Sequence, residues 1–351
     1  MKSIGHFRLY CRCLILLAAA CVSILAGSTG NAQSFIPAPS SSGNNEPHAI
    51  SVTSELVILP VNVTDPKGNF VSGLAENNFH IFEEKRPQEL AVFQREDAPV
   101  SVGLIVDHSG SMELKLPNVI AAISAFAHSG NPDDEMFIVD FNDKVVIEPL
   151  NGEPFTNNSE ELGKAIGAVS AQGRTALYDA VGQGLDHLRL SHLQRKALVV
   201  ISDGGDNASQ SNRSEILALA RQSQVTIYSI ALEDEFTKEQ DPKFLRQLSE
   251  VTGGAAFVPG SQQAVVDSSQ QIAKDLREQY VLGFVPEKIG NGNSFRKVQV
   301  TVSTPEKGKF RVRTRSGYSI APETAAATVV EQKEVPASFN RGPERSKASL
   351  R

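Results

Sequence analysis

The chain has 351 residues, 40% hydrophobic and 21% charged, a globular balance that excludes disordered and collagen-like classes. Its length suggests about two domains plus tails. Lys and Arg number 34 against 40 Asp and Glu, and the net charge of −6 disfavours a nucleic-acid binder driven by a basic surface. With no Trp and 6% aromatic residues, a base-stacking or sugar-stacking platform is disfavoured as well.

Residues 1–32 read as a secretory signal. Lys2, Arg8 and Arg12 form a charged start, and Leu14 to Ala26 form an apolar run too short to cross a bilayer comfortably. Gly30 and Ala32 supply small residues for cleavage before Gln33. An uncleaved anchor is the alternative reading. Lipid attachment at Cys21 is disfavoured, because Ala18 stands where a larger apolar residue is usual and the apolar run continues past the cysteine. Cys11, Cys13 and Cys21 all fall in this segment, so the cleaved chain carries no thiol and needs neither disulfides nor cysteine-held metal. Cleavage also removes three basic residues and no acid, which brings the net charge to −9. The expectation is an exported protein, periplasmic, cell-surface or secreted, with no membrane span after signal cleavage.

Residues 33–48 are rich in Pro, Ser, Gly and Asn and are expected to be a disordered linker, as is the tail over 321–351. Between them the pattern changes twice. In the flank over 49–97, Val57, Leu59, Val61 and Val63 alternate with Ile58, Pro60, Asn62 and Thr64, the period of a strand. Asp65-Pro66-Lys67-Gly68 is a turn signal, and Phe79–Phe82 and Leu90–Phe93 are two further short strands. Over 98–279 the continuous apolar run Val100–Val106 predicts a strand buried on both faces. A helical stripe of Leu116, Val119, Ile120, Ile123, Phe126 and Ala127 follows. Strands are then expected at Met136–Phe141, Val145–Leu150, Ala197–Ser202, Val225–Leu232 and Ala255–Val258. Helices are expected at Ser159–Val169, Thr175–Leu190, Arg213–Arg221, Pro242–Val251 and Ser261–Gln279. This alternation predicts an α/β fold, a doubly wound and mostly parallel sheet with helices on both faces. From Tyr280 to about residue 320 β patterns return, at Tyr280–Val285, Arg296–Ser303 and Lys309–Thr314. Neither flank is large enough for its own core, so the two are predicted to pair into a smaller all-β module that receives the α/β domain as an insertion.

The first buried strand ends in Asp107-His108-Ser109-Gly110-Ser111, at the end where open α/β sheets bind ligands. Gly110 is expected to let the loop turn back without a Cβ clash. Gly173-Arg174-Thr175 opens a later helix, and Ser202-Asp203-Gly204-Gly205 ends another buried strand. Three loops at one sheet edge thus offer Asp107, Ser109, Ser111, Thr175 and Asp203. All five donors are oxygen, which suits a hard ion. Two carboxylates with three hydroxyls favour a small octahedral ion that keeps some water, Mg²⁺ first, with Mn²⁺ or Ca²⁺ as alternatives. So little negative charge would leave the metal electrophilic, with a position for the Asp or Glu side chain of a partner protein.

DHSGS, GRT and SDGG, in this order and at these positions, resemble the von Willebrand factor type A domain over Pro99–Gln279. The resemblance implies a six-stranded sheet with one short antiparallel edge strand, and a metal-ion-dependent adhesion site. It implies direct ligation by Ser109, Ser111 and Thr175, with Asp107 and Asp203 binding directly or through water. A narrower resemblance, to exported bacterial VWFA-related proteins of the acidobacterial type, lies in the flanks: Val61–Gly68, Gly73–Phe79, Gln279–Phe284 and Gly317-Tyr318. No function follows from it. In adhesion-type relatives the last helix moves on ligand binding; here that helix would be Ser261–Gln279.

Other chemistries find less support. Asp107, Ser109 and Ser111 read alone could be a helix cap. Adjacent Asp107, His108 and Ser109 cannot form a catalytic relay, because neighbouring side chains point apart, and no G-x-S-x-G elbow occurs. Dinucleotide and P-loop signatures are absent. Asp206 and Asn207 read as outer groups of the site or as caps of the next turn. Asp133, Asp134 and Glu135 read as a solvated loop, and Glu233-Asp234-Glu235 lacks the spacing of an EF-hand. Arg311, Arg313 and Arg315 alternate on one face, as edge-strand protection or as contact with an acidic polymer or membrane. The leading function is a non-enzymatic, cation-dependent protein-binding module. A structural envelope protein whose metal only stabilises the fold is the alternative, ahead of a metal-dependent hydrolase, for which no general base stands beside the cluster.

Overall fold

The computed structural model describes residues 56–95, 97–148, 152–167, 170–232, 240–287, 295–304 and 308–319. The expectations for the signal, the linker, the C-terminal tail and Glu233-Asp234-Glu235 fall outside these residues. In β1 (Val57–Thr64) the four alternating residues Val57, Leu59, Val61 and Val63 are buried. The turn after it closes on Asp65, whose C=O accepts the Gly68 N–H at 3.0 Å and whose carboxylate accepts the Asn69 N–H at 2.9 Å. β2 (Phe79–Glu83) and β3 (Arg86–Gln88) form a hairpin, and β4 (Val92–Gln94) follows. The hairpin turn is Glu84-Lys85, with φ of 46° and 68°. Tight hairpins need this left-handed backbone, but they usually announce it with Gly or Asn, so β3 carried no signal in the sequence.

The middle of the chain alternates as its apolar pattern predicts. β5 (Val100–Asp107) is buried along its whole length and is followed by α1 (Leu116–His128), β6 (Glu135–Phe141), β7 (Val145–Ile147) and α2 (Ser159–Gly167). Then come α3 (Leu177–His187), β8 (Arg195–Ser202), α4 (Arg213–Gln222) and β9 (Thr226–Ala231). α5 (Pro242–Thr252), β10 (Ala256–Phe257) and α6 (Gln262–Arg277) complete the unit. The strands form one six-stranded sheet in the order β10-β9-β8-β5-β6-β7. All neighbours are parallel except β6 and β7. α1, α2 and α6 cover one face through Val119, Ile123, Leu162, Ile166, Ile272 and Leu276, while α3, α4 and α5 cover the other. α3 begins two residues after Thr175; the Thr175 and Ala176 N–H groups before it donate to Asn207 Oδ1 and the Asn142 C=O.

β11 (Tyr280–Phe284), β12 (Phe295–Val302), β13 (Arg311–Arg313) and β14 (Gly317–Ser319) return to the N-terminal flank. Two antiparallel sheets result, ordered β13-β1-β11-β4 and β14-β12-β2-β3. Each contains strands from both flanks. Their inner faces share one core that includes Leu59, Val61, Phe79, Ile81, Tyr280, Leu282, Phe284, Val298 and Val300. The Tyr280 ring lies 4.9 Å from Phe79, and its hydroxyl donates to the Val71 C=O at 2.9 Å.

This β module meets the α/β unit at the N-terminal ends of the parallel strands, through charge. The Arg313 guanidinium pairs with Asp275 near the end of α6, and Asn62 donates to the Asp275 C=O at 2.9 Å. Arg315 is 5% exposed and donates to the C=O groups of Gly317, Arg221 and Ser223 at 2.7–2.8 Å. Both expectations for the arginine stripe are therefore corrected. Arg311 is exposed, but Arg313 and Arg315 turn into the joint, where carbonyls and a carboxylate repay their desolvation. The solvated-loop reading of 133–135 holds for Asp133, which is exposed in a turn, and is corrected for the other two. Asp134 is 3% exposed, accepts the Val100 N–H at 2.9 Å and pairs with Arg277, while Glu135 opens β6 and accepts the Ser101 hydroxyl.

Candidate metal centre

Asp107 is the last residue of β5, and Asp203 follows β8 directly, so two adjacent parallel strands deliver their carboxylates to one edge. Asp107 is 0% exposed; its Oδ1 accepts the Ser109 N–H at 2.8 Å and its Oδ2 the Ser202 hydroxyl at 2.5 Å. The Ser109 and Ser111 hydroxyl oxygens are 3.2 Å apart. The Ser111 hydroxyl donates to Asp203 Oδ2 at 2.7 Å, and the Lys115 ammonium lies 3.6 Å from the same oxygen. Asp203 Oδ1 accepts the Gly205 N–H at 3.2 Å.

Thr175 lies on the adjoining loop. Gly173 C=O accepts the Gly110 N–H at 3.1 Å, and the Gln172 N–H donates to the His108 C=O at 2.9 Å, which ties this loop to the first. Asn207 holds Thr175 through its backbone: Asn207 Oδ1 accepts the Thr175 N–H at 2.9 Å, and the Asn207 N–H donates to the Thr175 C=O at 3.0 Å. The hydrogen bonds thus join Asp107, Ser109, Ser111 and Asp203 directly and bring Thr175 alongside on a neighbouring loop, without a bond from its hydroxyl to the other four. Asp206 binds the Tyr178 N–H and the Ser209 hydroxyl and serves as a cap at the start of α3.

The loop glycines that matter differ from the one expected. Gly110 is not left-handed, and a Cβ there would meet only the Gly173 C=O at an ordinary 3.5 Å. Gly204 has φ of +86°, and a Cβ would come within 2.5 Å of the Asp241 C=O, so the step after Asp203 requires glycine. His108 is fully buried and its Nδ1 pairs with Asp140.

Burial pushes the Asp107 carboxyl up to about 6, against the pull of the Ser109 and Ser202 hydrogen bonds. Both of its protein partners are neutral donors. A buried carboxylate with no cation beside it is costly to ionise, and a dication would remove that cost. The donor chemistry fits a hard ion: oxygen alone, two carboxylates, two hydroxyls in contact with them or with each other, and one ammonium already drawn to Asp203. Among the described residues, no three His, Cys, Asp or Glu side chains gather as an alternative metal set.

The family model of the von Willebrand factor type A domain matches residues 101–279. The chain belongs to this family. Its solved relatives in fold include a von Willebrand factor type A protein from Catenulispora acidiphila, 13% identical, covering 69% of this chain and 75% of that one, with a TM-score of 0.46. The vWF domain of the type V pili tip protein Mfa5 from Porphyromonas gingivalis is 13% identical and covers 51% of this chain and 95% of its own, with a TM-score of 0.43. An aerotolerance-related membrane protein from Bacteroides fragilis is 14% identical over 50% of this chain and 98% of its own, with a TM-score of 0.42. No curated protein matches the chain. Among the described residues of this type A domain protein, no helix is long and apolar enough to cross a membrane.

Sequence reasoning passed over three groups at the site. Ser202 binds Asp107, Lys115 faces Asp203, and Asp143 accepts the Arg174 N–H at 2.8 Å and so braces the Thr175 loop. Ser202 stood next to a motif aspartate and was legible as a strand-end hydroxyl. Lys115 had only its spacing, four residues after Ser111.

Proposed function

We propose that this chain is an exported, non-enzymatic protein-binding module that captures an acidic side chain of a partner through a Mg²⁺ ion. Ser109, Ser111 and Thr175 would offer hydroxyls to the ion, and Asp107 and Asp203 carboxylates, directly or through water. The ion would supply electrophilic charge at an open position, and the partner's Asp or Glu would fill it. The observation that carries this reading is the convergence of Asp107, Ser109, Ser111 and Asp203 from two strands into one hydrogen-bonded set at the ligand-binding edge of the sheet. Export rests on the charged and apolar pattern of residues 1–32.

The test uses Mn²⁺ as the probe. Water proton relaxation in a Mn²⁺ titration of the full-length protein reports both the ion and its bound water. A saturable site whose relaxivity falls when a Glu-containing peptide is added, and does not fall with the Gln counterpart, supports capture of a carboxylate. Saturable binding with no response to any carboxylate would leave the metal as a fold stabiliser and overturn the adhesion reading.

A further inference from the structure

We propose that Lys115 is a built-in competitor for the ion, an internal cation that must leave Asp203 before a divalent metal takes that carboxylate, and so sets the metal affinity of the site. The inference rests on the Mg²⁺ reading above. The two oxygens of Asp203 have different duties. Oδ1 is turned into its own loop by the Gly205 N–H. Oδ2 accepts the Ser111 hydroxyl at 2.7 Å and faces the Lys115 ammonium at 3.6 Å. The oxygen that can reach an ion beside Ser111 is therefore the oxygen that the ammonium holds.

The loop between β5 and α1 is built to put that ammonium there. Leu114 is 91% exposed, whereas the side chain of Lys115, its neighbour, is 12% exposed. This reverses the usual partition of leucine and lysine between solvent and interior. The Lys115 N–H donates to the Met112 C=O at 2.8 Å, and the Lys115 C=O accepts the Asn118 and Val119 N–H groups, so the root of the side chain is fixed by the first turn of α1. The Asp203 side chain is 4% exposed, and water screens the pair weakly. Without a metal the ammonium offsets one of two buried carboxylates. A dication held by Asp203 would face the ammonium as a like charge, and Lys115 would have to swing outward or weaken the ion's hold.

Isothermal titration of full-length protein with Mg²⁺ compares wild type, Lys115→Met and Lys115→Arg. Lys115→Met is expected to bind Mg²⁺ about tenfold more tightly, with Lys115→Arg close to wild type. In chelator, Lys115→Met is expected to melt at a lower temperature than wild type, and Mg²⁺ should restore it. A wild-type readout needs no variant: Lys115 labelling by an amine-reactive reagent, read by mass spectrometry, should rise when Mg²⁺ is added. Mg²⁺ binding of equal or lower affinity in Lys115→Met, or labelling unchanged by Mg²⁺ in a protein that binds it, overturns the competition and leaves the metal site standing. Absence of Mg²⁺ binding in all three proteins overturns both readings, and a melting loss in Lys115→Met would then identify the lysine as a structural counter-ion of Asp203.

Discussion

At the edge of the six-stranded sheet that meets the β module, Asp275 faces Arg313 and Asp134 faces Arg277. Arg315, which has no carboxylate, donates to three backbone carbonyls. At the opposite edge the hydrogen-bond donors to Asp107, from Ser109 and Ser202, are neutral, and Asp203 faces the Lys115 ammonium across 3.6 Å. Both edges bury charge. At the joint each of these carboxylates has its own arginine, whereas at the other edge one lysine stands against two carboxylates. A balanced buried pair fixes structure, whereas an unbalanced carboxylate invites a cation from outside. Burial also lowers Arg315 to about 10, since no anion opposes it there, yet its three carbonyl acceptors make it costly to remove.

That contrast predicts opposite signs for neutralising Arg315 at the joint and Asp107 at the other edge. The largest effect is expected at the joint. Arg315→Met strands the buried Gly317 carbonyl and the half-buried carbonyls of Arg221 and Ser223, and should cost about 3 kcal/mol in urea unfolding. Next, Gly204→Ala forces a left-handed residue against the Asp241 C=O and should cost about 2 kcal/mol, with weaker Mg²⁺ binding because Asp203 sits on that turn. Asp107→Asn should do the reverse of Arg315→Met. It removes a buried, uncompensated charge, so the metal-free protein should gain about 1 kcal/mol at pH 7 while Mg²⁺ binding is lost. A loss of metal-free stability in Asp107→Asn would break the comparison. Gly110→Ala should be the smallest change, within about 0.5 kcal/mol of wild type by thermal melting.

Much of the α/β fold was legible because its signals are local. The run Val100–Val106 and the stripe from Leu116 to Ala127 each specify one element, and their alternation specifies the parallel sheet. The three loop motifs were legible because the strand ends fix which side of the sheet they occupy. The Glu84-Lys85 turn was not, since its residues carry none of the usual left-handed preference. Arg313 and Arg315 were misread for a different reason. Alternation shows that residues share a face, but whether that face meets water or α4 and α6 depends on packing between distant segments. Lys115 was silent for the same reason, as its partner Asp203 stands on the loop after another strand.

The central claim is that oxygen donors from the three loops hold one divalent ion. A Mn²⁺ titration of the full-length protein by electron paramagnetic resonance, repeated on Asp203→Asn and Ser111→Ala, tests it most directly. The account predicts a single saturable site in the wild type, lost in Asp203→Asn and weakened in Ser111→Ala. No saturable binding up to millimolar Mn²⁺, or the same binding in all three proteins, would contradict it.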